Sequence, residues 1–182
     1  DITDNVNIVI DGAALKSANG KVELYTQAFT DDKLKSEAGQ GGLYSNVEYV
    51  ADGKITQNSH VEFAGTGSKI EAKGDVAITT RTDTKGVAES VIDASVSVLD
   101  TINVIAKMNM AIDSAVLMCD KTSITSKSGD VYISAIVDKI YANTNSDGKT
   151  YSLIHLTLNP VSEIDIKVDA RVVGQNLANV TL

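Results

Sequence analysis

The stretch Ser68-Lys-Ile-Glu-Ala-Lys-Gly-Asp-Val-Ala-Ile-Thr-Thr80 decides how the chain reads. At its centre is the step Ile70-x-Ala72-x-Gly74-Asp75-Val76-x-Ile78. The step returns downstream as Ile124-x-Ser126-x-x-Gly129-Asp130-Val131-x-Ile133. It occurs upstream, more loosely, as Leu15-x-Ser17-x-x-Gly20-Lys21-Val22-x-Leu24. The three glycines stand 54 and 55 residues apart. A recurrence of that length, set in sequence of two-residue parity, is the signature of a solenoid. One unit cannot cover its own inner face, and stacked neighbours place like residues over like. Val22, Val76 and Val131 are therefore expected in one internal ladder, and Leu24, Ile78 and Ile133 in another. Gly20, Gly74 and Gly129 are expected at a corner that needs positive φ or tight packing.

Outward from the step, period-two alternation continues on both sides. Before it, Ile2, Val6, Ile8 and Ile10 share one parity, and Ile55, Val61 and Phe63 continue the pattern after the Asp52-Gly53 pair, a tight-turn signal. After it, Ala94, Val96, Val98, Asp100, Ile102, Val104, Ala106, Met108, Met110 and Ile112 form the longest alternation in the chain. A helical face is a rival there, but the β-branched content favours strands. One strand of that length would be unusual, so two or three shorter strands joined by bends are expected. Leu156, Leu158, Ile164, Ile166, Val168, Ala170 and Val172 carry the last run, with a turn or corner expected at Asn159-Pro160. Three polar excursions follow the Val-x-Ile strands, at 26–42, 81–89 and 135–150, and read as loops on one side of the stack.

The fold expected is all-β: a parallel β-helix (β-solenoid) of about three repeats of about 54 residues, with a β-sandwich as the alternative. It is one domain over 1–182, with 1–14 the end of a preceding repeat, which suggests a processed or excised chain. Repeats follow at 15–67, 68–122 and 123–174, and 175–182 opens a further repeat or caps the stack. Three rungs of about 18 residues would divide a repeat, or two longer ones; with three repeats the stack would be a rod several nanometres long.

Composition narrows the function classes. The aromatic share is 4% with no Trp, so the core is built from Val, Ile, Leu and Ala, which suit thin β layers better than a deep ligand pocket. The net charge of −8 disfavours nucleic-acid binding and adsorption to anionic lipid. The apolar region near residues 87–119 is broken by Asp93, Asp100, Lys107 and Asp113, so no membrane insertion is expected. The single cysteine, Cys119, excludes an intrachain disulfide and reads as a small core residue. His60 and His155 lie in alternating segments with no catalytic partner near them in sequence.

The step, followed by a polar gap and then Ala88-Glu-Ser-Val-Ile-Asp-Ala-Ser-Val-Ser-Val98, resembles the repeats of large bacterial filamentous adhesins. Filamentous haemagglutinin-like proteins and fusobacterial leukotoxin-type surface proteins are the nearest in kind. The likeness runs over about residues 14–174 and is best in the second repeat. It implies a right-handed parallel β-helix in an elongated surface or secreted stalk, extracellular or at the bacterial cell surface. It carries no catalytic residues to transfer.

No site stands out. The Asp residues are spread, and Asp75 and Asp130 have Lys21 at the matching position, so an enzyme is not expected. Neither a calcium β-roll nonapeptide nor an EF-hand loop is present, and no metal or cofactor is expected, although Asp31-Asp32 and 143–147 carry oxygen ligands. The Thr79-Thr80-x-Thr82 patch is not repeated at equivalent positions, so it is not an array, and the sequon Asn179-Val-Thr181 carries no weight in a bacterial protein. The expected function is a structural and adhesive stalk segment, its loops recognising a host or neighbouring-cell glycan or protein. The alternatives are a filament subunit that self-associates end-to-end or by strand exchange, and a carbohydrate-active β-helix enzyme.

Overall fold

The computed structural model describes the backbone of residues 1–174 and 179–181, and the side chains of 1–37, 46–92, 101–148 and 157–174. Every regular element among them is a strand: β1 (Ile2–Asp11), β2 (Ala14–Ser17), β3 (Val22–Ala64), β4 (Lys69–Ala72), β5 (Val76–Met118), β6 (Ser123–Ser126), β7 (Val131–Gly174) and β8 (Asn179–Thr181). They form two parallel sheets, a large one ordered β1-β3-β5-β7 and a small one ordered β2-β4-β6-β8. Each strand lies on its counterpart one repeat away. Val22 pairs with Val76 and Val76 with Val131; Leu24, Ile78 and Ile133 make the second ladder; Leu15, Ile70 and Ile124 make a third. The architecture is the stacked parallel one expected of a β-solenoid.

A 43-residue strand such as β5 can bury one face only by folding back on itself. The core shows where it does. Val76 and Ile78, near its start, pack in one cluster with Val116 and Met118, near its end. Ala88 packs with Met108, Met110 and Ile112, and Ile92 with Ile102 and Val104. The strand therefore runs out to Ile92, reverses, and returns from Ile102. We call the two halves the outgoing and return walls. Register shifts cluster at the reversal, between Ile92 and Ser95 and between Ser97 and Leu99, and between Ala38 and Gln40 in β3. Bulges bend a strand, and here they mark the tip of each layer. At the opposite end Ile70, Ala72 and Ile124 of the short strands join the Val76–Val116 cluster.

Several expectations are corrected. The excursions at 26–42, 81–89 and 135–150 are not loops: they are outgoing wall, paired in the ladders of β3, β5 and β7. Their polar residues misled because some of them, Thr26, Thr30 and Thr84, face inward and bond across to the return wall. Thr26 accepts a hydrogen bond from Ser59 at 2.8 Å, and Thr80 and Ser114 repeat that pair at 2.8 Å one layer on. Gln57, fully buried, donates to Thr30 at 3.1 Å and accepts from Thr84. Asp52-Gly53 and Asn159-Pro160 make no turn and lie inside β3 and β7. Gly53 serves packing instead, since a Cβ there would sit 2.7 Å from Met108 Cε. The long alternation is part of one bulged strand, not of two or three; its inward members Ile102 to Ile112 are buried, and the side chains of 94–100 lie outside the described residues.

The repeat is not divided into rungs of 18 residues. Val76 pairs with Val22 and Val131, so one repeat is one layer. The expected rod is thereby replaced by a slab. Four layers at roughly 4.8 Å spacing separate the outermost backbones of the large sheet by only about 15 Å. Each wall, by contrast, runs for roughly 55 Å at about 3.3 Å per residue.

Gly20, Gly74 and Gly129 do sit at the corner that leads into the long strands, but none has positive φ; Gly12, Gly65, Gly67 and the non-glycine Lys121 do, at the other corner. Packing is what the repeat glycines answer, most tightly at Gly129, where a Cβ would lie 2.7 Å from the Asp75 nitrogen and 2.9 Å from the Gly74 carbonyl carbon. In two copies a serine closes this turn: the Gly20 N–H donates to Ser17 Oγ at 3.2 Å and the Gly129 N–H to Ser126 Oγ at 2.9 Å. The middle copy is one residue shorter and has buried Ala72 in that place.

Candidate functional site

Among the described residues the space between the walls is occupied by buried side chains, and the exposed charged and aromatic groups stand on the outer faces. On the outgoing wall the outward parity brings Tyr25, Phe29, Tyr132 and Tyr141 to the surface, all exposed. Phe63 is buried and Tyr49 is packed against the core, so the exposed rings among the described residues belong to this one face.

Two adjoining outward ladders build its most structured part. Phe29 pairs with Asp83 and Asp83 with Lys139; two residues on, Asp31 pairs with Lys85 and Lys85 with Tyr141. The β7 ladder slips one residue here, because Val137 partners Thr82 while Lys139 partners Asp83, which leaves Asp138 as a bulge. Asp138 turns to Arg81 and pairs with its guanidinium. Arg81 Nε also lies 3.2 Å from Asp83 Oδ2, which accepts a hydrogen bond from Gln27 at 3.2 Å. Desolvation opposes the charge on Arg81, but Asp138 and Asp83 outweigh it and raise the guanidinium pKa above its usual value. Asp83 is 8% exposed, and its Oδ1 is buried with no hydrogen-bond partner among the described residues. Lys85 reaches Asp31 at 3.0 Å. Phe29, Asp31, Asp83, Lys85, Lys139 and Tyr141 line a depression of about 290 Å³.

The return wall carries a second cluster. His60 Nε2 lies 3.0 Å from Asp113 Oδ2, and Arg171 donates to the same carboxylate at 2.5 and 3.0 Å and to Asp169 at 2.6 Å. The Asp113 hydrogen bond is the main reason the Arg171 pKa is raised, against partial desolvation. Sequence reading left His60 without a partner, and the stacking supplies one 53 residues away. Its ladder neighbours are Asn7, Ala115 and Arg171, and the cluster joins three layers of the return wall.

At the corner, Glu71 binds Lys127 at 2.7 Å and Lys16 at 3.5 Å, one from each neighbouring layer. The Lys127 hydrogen bond and charge, then Lys16, lower the Glu71 pKa. Asp75 accepts the Asp130 N–H at 3.0 Å, so the charged position of the repeat joins layers where it is acidic.

Cys119 is half-buried rather than core, beside Glu62, Leu117 and Val173. Asp31 lies in the depression described above and Asp32 is not among its lining residues. No group of three or more His, Cys, Asp and Glu residues is placed to hold a metal among the described residues. The side chains of Asp93, Asp100, His155 and Asn179 to Thr181 lie outside the described residues. No helix long and apolar enough to cross a membrane is present among them. The feature that sequence reading missed is the Phe29–Asp83–Tyr141 depression; its members sit in what looked like solvated loops, and only layer pairing makes them neighbours. The chain matches no family model, no curated protein and no solved structure.

Proposed function

We propose that the chain is a non-enzymatic structural and adhesive segment of a bacterial surface or secreted protein, working outside the cell or at its surface. The observation that carries this reading is the pair of broad, layer-paired walls, with exposed aromatic side chains on the outgoing wall. The dimensions favour breadth over reach. One repeat of about 54 residues adds roughly 4.8 Å along the stack, so the segment is a poor spacer and a wide display surface. A glycan or protein of a host or neighbouring cell is the class of partner for such a face. Antibody against the segment should label intact cells of the source bacterium; labelling that appears only after lysis overturns the proposal.

A second reading, end-to-end self-association or strand exchange, has its own support. Ile164, Ile166, Val168 and Val172 of β7 pair with core residues of β5 yet are exposed, because no described layer covers their other side. A following layer of the same polypeptide or a second copy would bury them. Light scattering at rising concentration decides: a monodisperse monomer throughout removes self-assembly.

A further inference from the structure

We infer that the return half of β7, from Pro160 to Gly174, is a strap. It opens while the rest of the stack stays folded, and its opening lets peroxide reach the methionines beneath it. The device does not depend on whether the outer faces recognise a partner.

The observation is a contrast within one layer. Among the described residues no further layer of the large sheet covers either half of β7. The outgoing half is packed all the same: Val131 and Ile133 join the Val76–Val116 cluster, and Val137 and Ala142 join the Ala88–Met110 cluster. No residue from Asn159 to Gly174 belongs to a core cluster. The inward-parity side chains there are exposed, Ile164 45%, Ile166 39%, Val168 48% and Val172 46%. β1 ends the same sheet on its other side, yet its Ile10 is 6% exposed. A place at the end of the sheet therefore does not by itself account for the loose half.

What holds the strap is its ladder with β5 and a few exposed contacts. Lys107 reaches Glu163 at 3.1 Å, Arg171 holds Asp113, and Ser146 and Ser162 share a hydrogen bond at 2.9 Å. Exposed ion pairs contribute little. A segment with few buried apolar contacts and solvent-facing backbone bonds opens at low cost. Both ends are tethered: Leu158 packs against the Ile92–Val104 cluster, and β8 pairs with β6. Pro160, beside Leu158, has no N–H to give to any ladder. The stretch between the tethers is free to lift as one unit.

The strip it covers has a distinct chemistry. Met108 pairs with Ile164, Met110 with Ile166 and Met118 with Gly174. These are all three methionines of the chain, and each is buried. Lifting the strap uncovers them from the open side. A thioether sulfur then takes one oxygen from hydrogen peroxide; the O–O bond breaks, the sulfoxide forms and water leaves. A sulfoxide is polar and costly to return to a dry strip, so oxidation holds the strap open.

The test uses the whole chain, with hydrogen exchange and dilute hydrogen peroxide each followed by mass spectrometry. Amides of 160–174 should exchange about tenfold faster than those of 131–142 in the same layer. Met108, Met110 and Met118 should oxidise faster than the chain unfolds globally. Arg171→Ala and Glu163→Ala should each raise both rates about threefold, with exchange in 131–142 unchanged. Glu163 is exposed, so its variant should keep native circular dichroism even where Arg171→Ala does not. The strap is overturned by one exchange rate for both halves of β7, by methionine oxidation no faster than global unfolding, or by rates that neither variant changes.

Discussion

At the scale of single residues, the repeat preserves what packs. Val76 is fully buried between its ladder partners Val22 and Val131 and the facing wall. Val76→Asp would place an unpaired charge there, and the expected loss is about 4 kcal/mol or more. Native circular dichroism and an unchanged Tm in that variant would refute the inward assignment. The repeat glycines separate in a way their shared motif hides. At Gly129 an added methyl would press on the backbone of Asp75 and Gly74, whereas at Gly20 it would meet only Ser17 Oγ at 3.6 Å. Gly129→Ala should therefore cost about 2 kcal/mol, while Gly20→Ala should be neutral or stabilise by about 0.5 kcal/mol. Urea unfolding of the pair measures both.

At the scale of elements, the polar seam between the walls and the ion-pair ladder at the corner do different work. Gln57 from the return wall bonds Thr30 and Thr84 of two outgoing walls, so it sets which stretch of one wall faces which stretch of the other. Gln57→Leu fills the space but leaves both hydroxyls short of a partner, for an expected loss of about 2 kcal/mol. Adding Thr30→Val and Thr84→Val should restore part of it, since the two unsatisfied hydroxyls go while the Asp83 carbonyl, which Gln57 also bonds at 3.3 Å, still lacks that donor. If the triple variant unfolds at lower urea than Gln57→Leu alone, the seam is not what pays for itself in hydrogen bonds. The Lys16–Glu71–Lys127 ladder is exposed and answers to pH and salt. The folded pKa of Glu71 is depressed below its ordinary value of 4.5. Its contribution is thus present above that value and is lost as pH falls through the folded pKa. The Tm advantage of wild type over Glu71→Gln should be largest near neutrality and vanish on strong acidification; a constant gap would contradict the coupling.

At the scale of the whole molecule, one layer per repeat decides the shape. The particle should scatter as a flattened slab whose longest dimension lies along the walls, roughly 55 Å. A rod lengthened along the stacking axis, as three short rungs per repeat would give, is incompatible with Val22, Val76 and Val131 in a single ladder. The same geometry concentrates surface chemistry. Residues 29, 83 and 141 are far apart in sequence and fall within adjoining ladders, so each wall can gather a site from three repeats at once.

The stacking itself was legible in the chain. The parity of Ile70, Val76 and Ile78, and its return at Ile124, Val131 and Ile133, determined parallel layers and their register, because period-two burial and self-similarity both act locally. The serine-closed turn was also written there, in Ser17-x-x-Gly20 and Ser126-x-x-Gly129. The depth of a layer was not. Thr26, Thr30 and Thr84 look like loop residues until Ser59 and Gln57 stand opposite them. A hydroxyl with a partner across the core is as buried as a valine, and that partner lies about 30 residues away along the chain. Composition reads polarity residue by residue. Whether a polar group is solvated or satisfied inside depends on what the fold brings to it, and so only the tertiary structure turned three presumed loops into a wall and placed Phe29, Asp83 and Tyr141 together.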